Sequence, residues 1–281
     1  MGKLVAFWRC AFELGEDVRA ALAIFWHETR NVRVRFGLGR HDPQRVYAVR
    51  LKNGPLWFRD NFGDITNLPN LFHRAVYRTP RAPGDGVILD VGANIGLAAA
   101  WFAREYPGRS IHCFEPLEEN ARMVRLNCPA AALRTVAVGR EPGSVELSVD
   151  RDAVMASTIP WDRAVARRTL EVVTLDDYIA AQRIGRVALL KIDTEGMELD
   201  VLDGARRTLA CTGVVAMETH GRDRHDGTLQ RLRDAGFTVD REEFDGHTGM
   251  VFASRPPSGT AEGGTRGDTA GDAAGAWTTS A

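Results

Sequence analysis

The run VILDVGANIG (87–96) narrows the fold of this 281-residue chain more than any other feature. Its first five residues are β-branched or aliphatic around one aspartate and read as a buried strand. The glycines behind them read as a sharp turn, and Leu97, Trp101 and Phe102 then recur at the spacing of one helix face. A strand that turns tightly into a helix is half of a βαβ unit. It places the turn at the carboxyl end of a parallel strand, where open α/β sheets bind their ligands.

The same alternation recurs along the chain. SIHCF (110–114) reads as a second strand, Leu117 to about Asn127 as a helix, and LRTVAV (133–138) as a third strand. VALLKI (187–192), a helix across Met197 to Leu209, and GVVAME (213–218) repeat the scheme. A last helix near Thr228 to Asp234 leads to GFTVD (236–240) and TGMVFA (248–253), which the short DGHTG connection makes an antiparallel pair. The expected fold is α/β: a Rossmann-like, seven-stranded, mostly parallel sheet with its last strand antiparallel and helices on both faces.

Residues 1–80 stand outside that scheme and read as an N-terminal cap. It consists of a helix (Ala11 to Arg30) and a hairpin of VYAVRL (46–51) and PLWFRD (55–60), turned at Asn53-Gly54. The core is expected over 81–254, with an insertion at about 139–170. That insertion carries one strand-like run, VELSV (145–149), and then an irregular stretch suited to a lid over a substrate. Residues 255–281, rich in Gly, Ala, Thr and Ser, read as a disordered tail.

Charge and cysteine content lend no support to several functions. Lys plus Arg at 36 against Asp plus Glu at 37 gives no basic excess, so no nucleic acid is expected as a partner. The apolar stretch from Leu4 to Trp8 is broken by Arg9 and Glu13, too short for a signal core or a membrane span, and a cytoplasmic location follows as the expectation. Cys10, Cys113, Cys128 and Cys211 are scattered and form no zinc spacing, so they read as reduced thiols. No feature of the sequence sets the oligomeric state.

The turn itself discriminates between ligands. A dinucleotide fingerprint would need glycine where Asn94 and Leu97 stand, and a Walker A loop would end in Gly-Lys-Ser/Thr. What remains is Asp90-Val91-Gly92-Ala93-Asn94-Ile95-Gly96, in which an acidic residue leads the glycines. S-adenosyl-L-methionine carries a cationic ammonium and sulfonium and no pyrophosphate, and an anionic Asp90 beside the turn suits that charge. Glu115, at the end of the second strand, stands where an acidic side chain accepts both ribose hydroxyls.

VILDVGANIG, HCFEP, LLKIDTEGMELDVLDGA and VVAMETH together resemble the FkbM-type methyltransferases, a branch of the class I, S-adenosylmethionine-dependent enzymes, over roughly residues 55–253. Lys191-Ile192-Asp193-Thr194-Glu195-Gly196 is the most specific piece. The Thr174-Leu175-Asp176-Asp177 helix start and the segment from Arg59 to Asp64 also fit. The resemblance implies Asp90, Gly92, Asn94, Gly96 and Glu115 as cofactor contacts, with Ala137 as a neighbour of the adenine. It also implies methylation of a hydroxyl on a small specialised metabolite such as a polyketide or sugar. N- or C-methylation, methylation of RNA, and a cofactor-binding homologue without turnover are the alternatives.

Catalytic candidates follow from position. Asp193 and Glu195 come directly after the fourth strand, and Thr219 and His220 come directly after the fifth, which ends in Glu218, so carboxylates and an imidazole gather at one rim of the sheet. A hydroxyl acceptor needs a base. His220 is the first choice because an ordinary imidazole is mostly neutral at pH 7, Asp193 is the second, and Glu195 suits either that task or a helix cap. No metal ligand set is expected, although oxygen ligands of this kind suit Mg²⁺. Trp57, Phe58, Phe62, Tyr77 and Trp161 are candidates to line an apolar acceptor pocket.

Overall fold

The computed structural model describes residues 2–149, 156–157 and 166–255. The predicted lid stretch apart from Ala156 and Ser157, Trp161 within it, and all but the first residue of the predicted tail lie outside these.

Seven strands form the central sheet. In chain order they are β3 (Val87–Val91), β4 (Ile111–Phe114), β5 (Ala132–Arg134), β10 (Val187–Ile192), β11 (Thr212–His220), β12 (Thr238–Phe244) and β13 (Thr248–Ser254). Their order across the sheet is β12-β13-β11-β10-β3-β4-β5, with β13 antiparallel to both of its neighbours. The predicted architecture is present, edge hairpin included. A two-stranded sheet of β1 (Val46–Leu51) and β2 (Gly54–Arg59) precedes it. A four-stranded sheet, β6 (Ala137–Val138), β7 (Gly143–Val149), β8 (Ala156–Ser157) and β9 (Ala166–Val173), flanks it in the order β6-β9-β7-β8.

The helices are α1 (Gly2–Leu14), α2 (Val18–Arg35), α3 (Leu97–Glu105), α4 (Glu118–Asn127), α5 (Leu175–Ala181), α6 (Glu198–Asp203), α7 (Arg206–Ala210) and α8 (Arg222–Asp234). Among the described residues no helix is long and apolar enough to cross a membrane.

Alternation along β3 feeds two cores. Ile88 joins Phe102, Ala99, Val124 and Phe252 on one face, whereas Leu89 and Val91 join Ile192, Val201, Leu202 and Leu232 on the other. The first cluster runs on into Ile24, Val49, Leu56 and Phe58, so the N-terminal elements share the core of the sheet. Asn127 fixes the junction. Its Oδ1 accepts from the Trp57 N–H at 2.6 Å, and its Nδ2 donates to Trp57 O at 3.0 Å and Ile95 O at 2.8 Å, tying β2 to the turn after β3.

Several boundaries differ from expectation, each for a local reason. The single N-terminal helix is two, broken where a side chain on Gly15 would sit 2.8 Å from Ala21 N, and restarted by Asp17, whose carboxylate caps Ala20 N–H at 2.7 Å. The expected third strand splits, because Ala137 and Val138 leave the central sheet to pair with β9. The helix over 197–209 breaks at Gly204, where any Cβ would strike the Gly139 carbonyl, and Asp176 then caps the new start at Thr208 N–H, 2.7 Å away. Strand β11 continues through His220, which pairs with Thr248, so His220 lies on the strand and not in a loop after it.

Candidate active site

The turn after β3 is built from the sheet outwards. Gly92 (φ +77°) and Gly96 (φ +81°) need glycine's freedom, and their neighbours demand it too. A Cβ on Gly92 would overlap the Asp193 carbonyl, and one on Gly96 would lie 2.9 Å from Val124 Cα in α4. Close approach is real at both positions, and the neighbour is the protein's own backbone. Asn94 carries a left-handed backbone as well, φ +49°.

Asp90 departs from expectation. It is fully buried beneath the turn and lines neither of the two cavities found here. In register with it on β10 stands Lys191, whose Nζ lies 3.0 Å from Asp90 Oδ1 and donates to Gly92 O at 2.7 Å. Burial opposes a charged Lys191, but the charges of Asp90 and Asp193 outweigh it and hold the ammonium above its usual range. Burial raises the Asp90 carboxyl while Lys191 opposes that rise, and the 3.0 Å contact makes Lys191 the partner of Asp90.

Glu115 closes the other side. Its Oε2 accepts from Asn94 N–H at 2.8 Å, while Oε1 accepts from Leu117 N–H at 3.0 Å and Asn120 Nδ2 at 3.1 Å. Burial pushes its carboxyl up to about 7 against those three donors. A cavity of about 80 Å³ lies here, with Glu115, Asn120 and Asn94 on its polar side and Phe114, Val136, Ala137, Val138, Leu147 and Met197 as apolar wall. Asn120 Oδ1 is buried there without a partner. A carboxylate with a spare lone pair beside an apolar slot suits a nucleoside: diol on the acid, base against the wall. S-adenosylmethionine fits that donor set.

A second, larger cavity of about 1130 Å³ opens on the opposite side of the turn, between residues 67–80, the end of β11 and the β12–β13 hairpin. Gly92, Asn94 and Asp193 line both cavities, and Asp193 is the sole titratable side chain among the three. Tyr77 is the one predicted pocket aromatic on the wall of the larger cavity, and its hydroxyl donates to Asp193 Oδ2 at 3.2 Å. Burial lifts the Tyr77 pKa well above the usual phenol value, so the proton stays on the donor. Phe58 is core, Trp57 is partly buried against it, and Phe62 packs edge-on to His41.

The rim residues do come together, but not with the charges expected. His220 Nδ1 donates to Glu198 Oε1 at 2.6 Å, and Nε2 lies 3.2 Å from Glu195 Oε2 and 3.8 Å from Glu218 Oε1. Burial disfavours the imidazolium; the bond to Glu198 and the charges of Glu195 and Asp193 outweigh that and raise its pKa to about 9. His220 thus holds its proton at pH 7, and it lines neither cavity. The premise of a mostly neutral imidazole does not hold. Glu195 is pushed up to about 7, first by burial, and Glu218 to about 8, first by the charge of Asp193. Glu195 (φ +51°) sits in the left-handed region, a strained conformation for a residue with a side chain.

Glu198, Lys191 and Tyr77 carry much of this geometry, and none was singled out from sequence for that role. Lys191 and Glu198 lay inside the quoted KIDTEGMEL run, so the signal was present as a buried-strand lysine and a second glutamate.

An open, mostly parallel sheet with an antiparallel last strand carries at its carboxyl edge a glycine turn and a buried glutamate that suit S-adenosylmethionine. A family model described as "Methyltransferase FkbM domain" matches residues 90–239. The chain is 30% identical over 242 residues to 31-O-demethyl-FK506 methyltransferase FkbM of Streptomyces tacrolimicus, covering 70% of this chain and 91% of that one. It is 27% identical over 176 residues to 2-O-methyltransferase NoeI of Sinorhizobium fredii, covering 56% and 72%. It is 25% identical over 179 residues to hexuronic acid methyltransferase AglP of Haloferax volcanii, covering 58% and 74%. The chain belongs to the FkbM methyltransferase family, and its methyl donor is S-adenosylmethionine.

Proposed function

We propose that this enzyme transfers a methyl group to a hydroxyl of a small specialised metabolite, a sugar or polyketide among them, with the acceptor bound in the larger cavity. The observation that carries this is the position of Asp193 on the walls of both cavities, where a carboxylate meets donor and acceptor at once. The names of the three relatives, two of which specify an oxygen, support a hydroxyl acceptor.

S-adenosylmethionine supplies an electrophilic methyl on a sulfonium. Glu115 receives the ribose hydroxyls, Ala137 and its apolar neighbours flank the adenine, and Gly92 and Asn94 form the backbone floor of the cofactor site. Asp90 and Gly96 act one step back: Asp90 anchors Lys191 beneath the turn, and Gly96 lets α4 approach. Asp193, oriented by Tyr77, accepts the hydroxyl proton of the acceptor. Orientation supplies the larger share of the rate, since well-positioned reactants save ~7–11 kcal/mol and a placed base adds roughly 10²–10⁴-fold. His220 and Glu195 position that carboxylate and set its charge environment.

The test is transfer of labelled methyl from the cofactor to a panel of hydroxylated sugars and polyketides beside matched amines. Label in an ether product supports the reading. Label only in the amines replaces it with N-methylation, and cofactor binding without any transfer points to a non-catalytic homologue.

A further inference from the structure

We infer that Asp193, Glu195 and His220 form a binding site for one divalent cation of the Mg²⁺ or Mn²⁺ type, which meets the acceptor's cavity at Asp193. The inference rests on the proposed use of this rim as the acceptor site.

One ligand atom from each of the three residues falls within 4.8 Å of the other two. Around an ion with bonds of roughly 2.0–2.2 Å, adjacent ligand atoms stand about 3 Å apart and an opposite pair about 4.4 Å, so the three side chains close on an ion by rotamer adjustments of up to about an ångström. Two carboxylates and one imidazole suit Mg²⁺ or Mn²⁺, and thiols, which would favour softer metals, are absent from the group.

The arrangement behind the ligands is the stronger point. A metal-binding histidine ordinarily gives its second ring N–H to a carboxylate, which fixes the ring and raises its basicity. Here Glu198, with no exposed surface, accepts from His220 Nδ1 at 2.6 Å and leaves Nε2 aimed at Glu195; the ion takes the place of the Nε2 proton, which is released to solvent on binding. Glu198 is held in turn, because its Oε1 also accepts from Gly196 N–H at 2.9 Å. The ring cannot rotate away without breaking a buried bond.

Charge favours the same occupant. Asp193, Glu195, Glu198 and Glu218 lie about a single imidazole; Arg224 Nε faces Glu198 Oε2 at 3.7 Å, and the nearest ammonium, Lys191, is 3.9 Å from Asp193 and already engaged by Asp90 and Gly92 O, which leaves Asp193, Glu195 and Glu218 in excess of the imidazole. A divalent cation offsets that excess. One oxygen of Asp193 then serves as ligand and the other remains for Tyr77 and the acceptor proton.

Binding is measured on the full chain, stripped with chelator, using Mn²⁺ with electron paramagnetic resonance and titration calorimetry. The expected result is one Mn²⁺ per chain, with nitrogen hyperfine coupling that disappears in His220→Gln. Glu195→Gln should weaken binding at least tenfold, and Glu198→Gln roughly 10–100-fold. Glu243→Gln, an acid that lines the larger cavity and is not one of the three ligands, should leave affinity within about twofold. Each variant is first checked for S-adenosylhomocysteine binding, so that a misfolded chain is recognised; if His220→Gln fails that check, the nitrogen coupling of the wild type decides. Absence of stoichiometric Mn²⁺ binding, or binding indifferent to Glu195 and without nitrogen coupling, overturns the inference. Full-rate methyl transfer in excess chelator overturns it too while leaving hydroxyl methylation intact. Mn²⁺ bound as described without transfer to any hydroxyl overturns the proposed function alone.

Discussion

Lys191 Nζ sits 3.0 Å from Asp90 Oδ1, the aspartate fully buried and the lysine nearly so at the base of the larger cavity, and the same ammonium donates to Gly92 O. This pair joins the two motifs that mark the family: the turn after β3 and the KIDTEG segment after β10. It also changes the meaning of Asp90, from an anion facing the cofactor to a counter-charge that fixes the lysine under the loop.

Removal of one partner leaves a buried charge uncompensated, which typically costs about 3–5 kcal/mol. Lys191→Met should therefore lower unfolding stability by that order in urea. The double variant Asp90→Asn with Lys191→Met should recover most of the loss, because both charges are gone. A double variant as unstable as the single one would contradict the pairing.

Gly92→Ala should be worse than an ordinary left-handed glycine replacement, which costs about 1–2 kcal/mol. Its Cβ meets a backbone carbonyl of β10's exit and has nowhere to go, whereas a Cβ on Gly96 meets α4, which can shift slightly. Thermal unfolding should rank Gly92→Ala below Gly96→Ala, and equal melting temperatures would contradict this.

Glu115 predicts two pH trends of opposite sign. Its folded pKa of about 7 exceeds the ordinary 4.5, so its contribution to folding stability is present below about 4.5 and is lost as pH rises through about 7. Cofactor binding needs the carboxylate and should strengthen over the same rise, with S-adenosylhomocysteine about tenfold weaker one unit below the pKa. Calorimetry at about pH 6 and pH 8 measures this. In Glu115→Gln the affinity should be lower and flat across that range; an unchanged slope would show that another group is responsible.

Tyr77→Phe removes the donor to Asp193 while keeping the ring in its cavity wall. With acceptor and cofactor saturating, kcat should fall about tenfold, the order expected for one hydrogen bond to a charged group. Cofactor affinity should stay within about twofold. A loss confined to KM would instead make Tyr77 an acceptor contact.

The sheet was legible because each of its strands carries a continuous or alternating apolar pattern and the turn residues between them are distinctive. The antiparallel hairpin at 236–254 was legible from its short connection. What escaped has a common cause: it depends on contacts between segments distant in sequence. Gly204 breaks a helix because Gly139 lies against it, and Ala137 leaves the sheet because β9 offers a partner. The strand pair of β7 and β9 spans a stretch whose sequence shows only one strand-like run. At the site, sequence order placed Asp193, Glu195 and His220 on one rim, which is where they stand. It gave no view of Glu198 behind His220, and so the imidazole was read with its ordinary pKa instead of one near 9.

The central claim is that Asp193 serves the acceptor hydroxyl at the junction of two cavities. Single-turnover transfer of labelled methyl to the best hydroxylated acceptor, compared between wild type and Asp193→Asn, tests it most directly. The account predicts a rate lower by roughly 10²–10⁴-fold with S-adenosylhomocysteine affinity within about twofold of wild type. Methyl transfer by Asp193→Asn at the wild-type rate would contradict it.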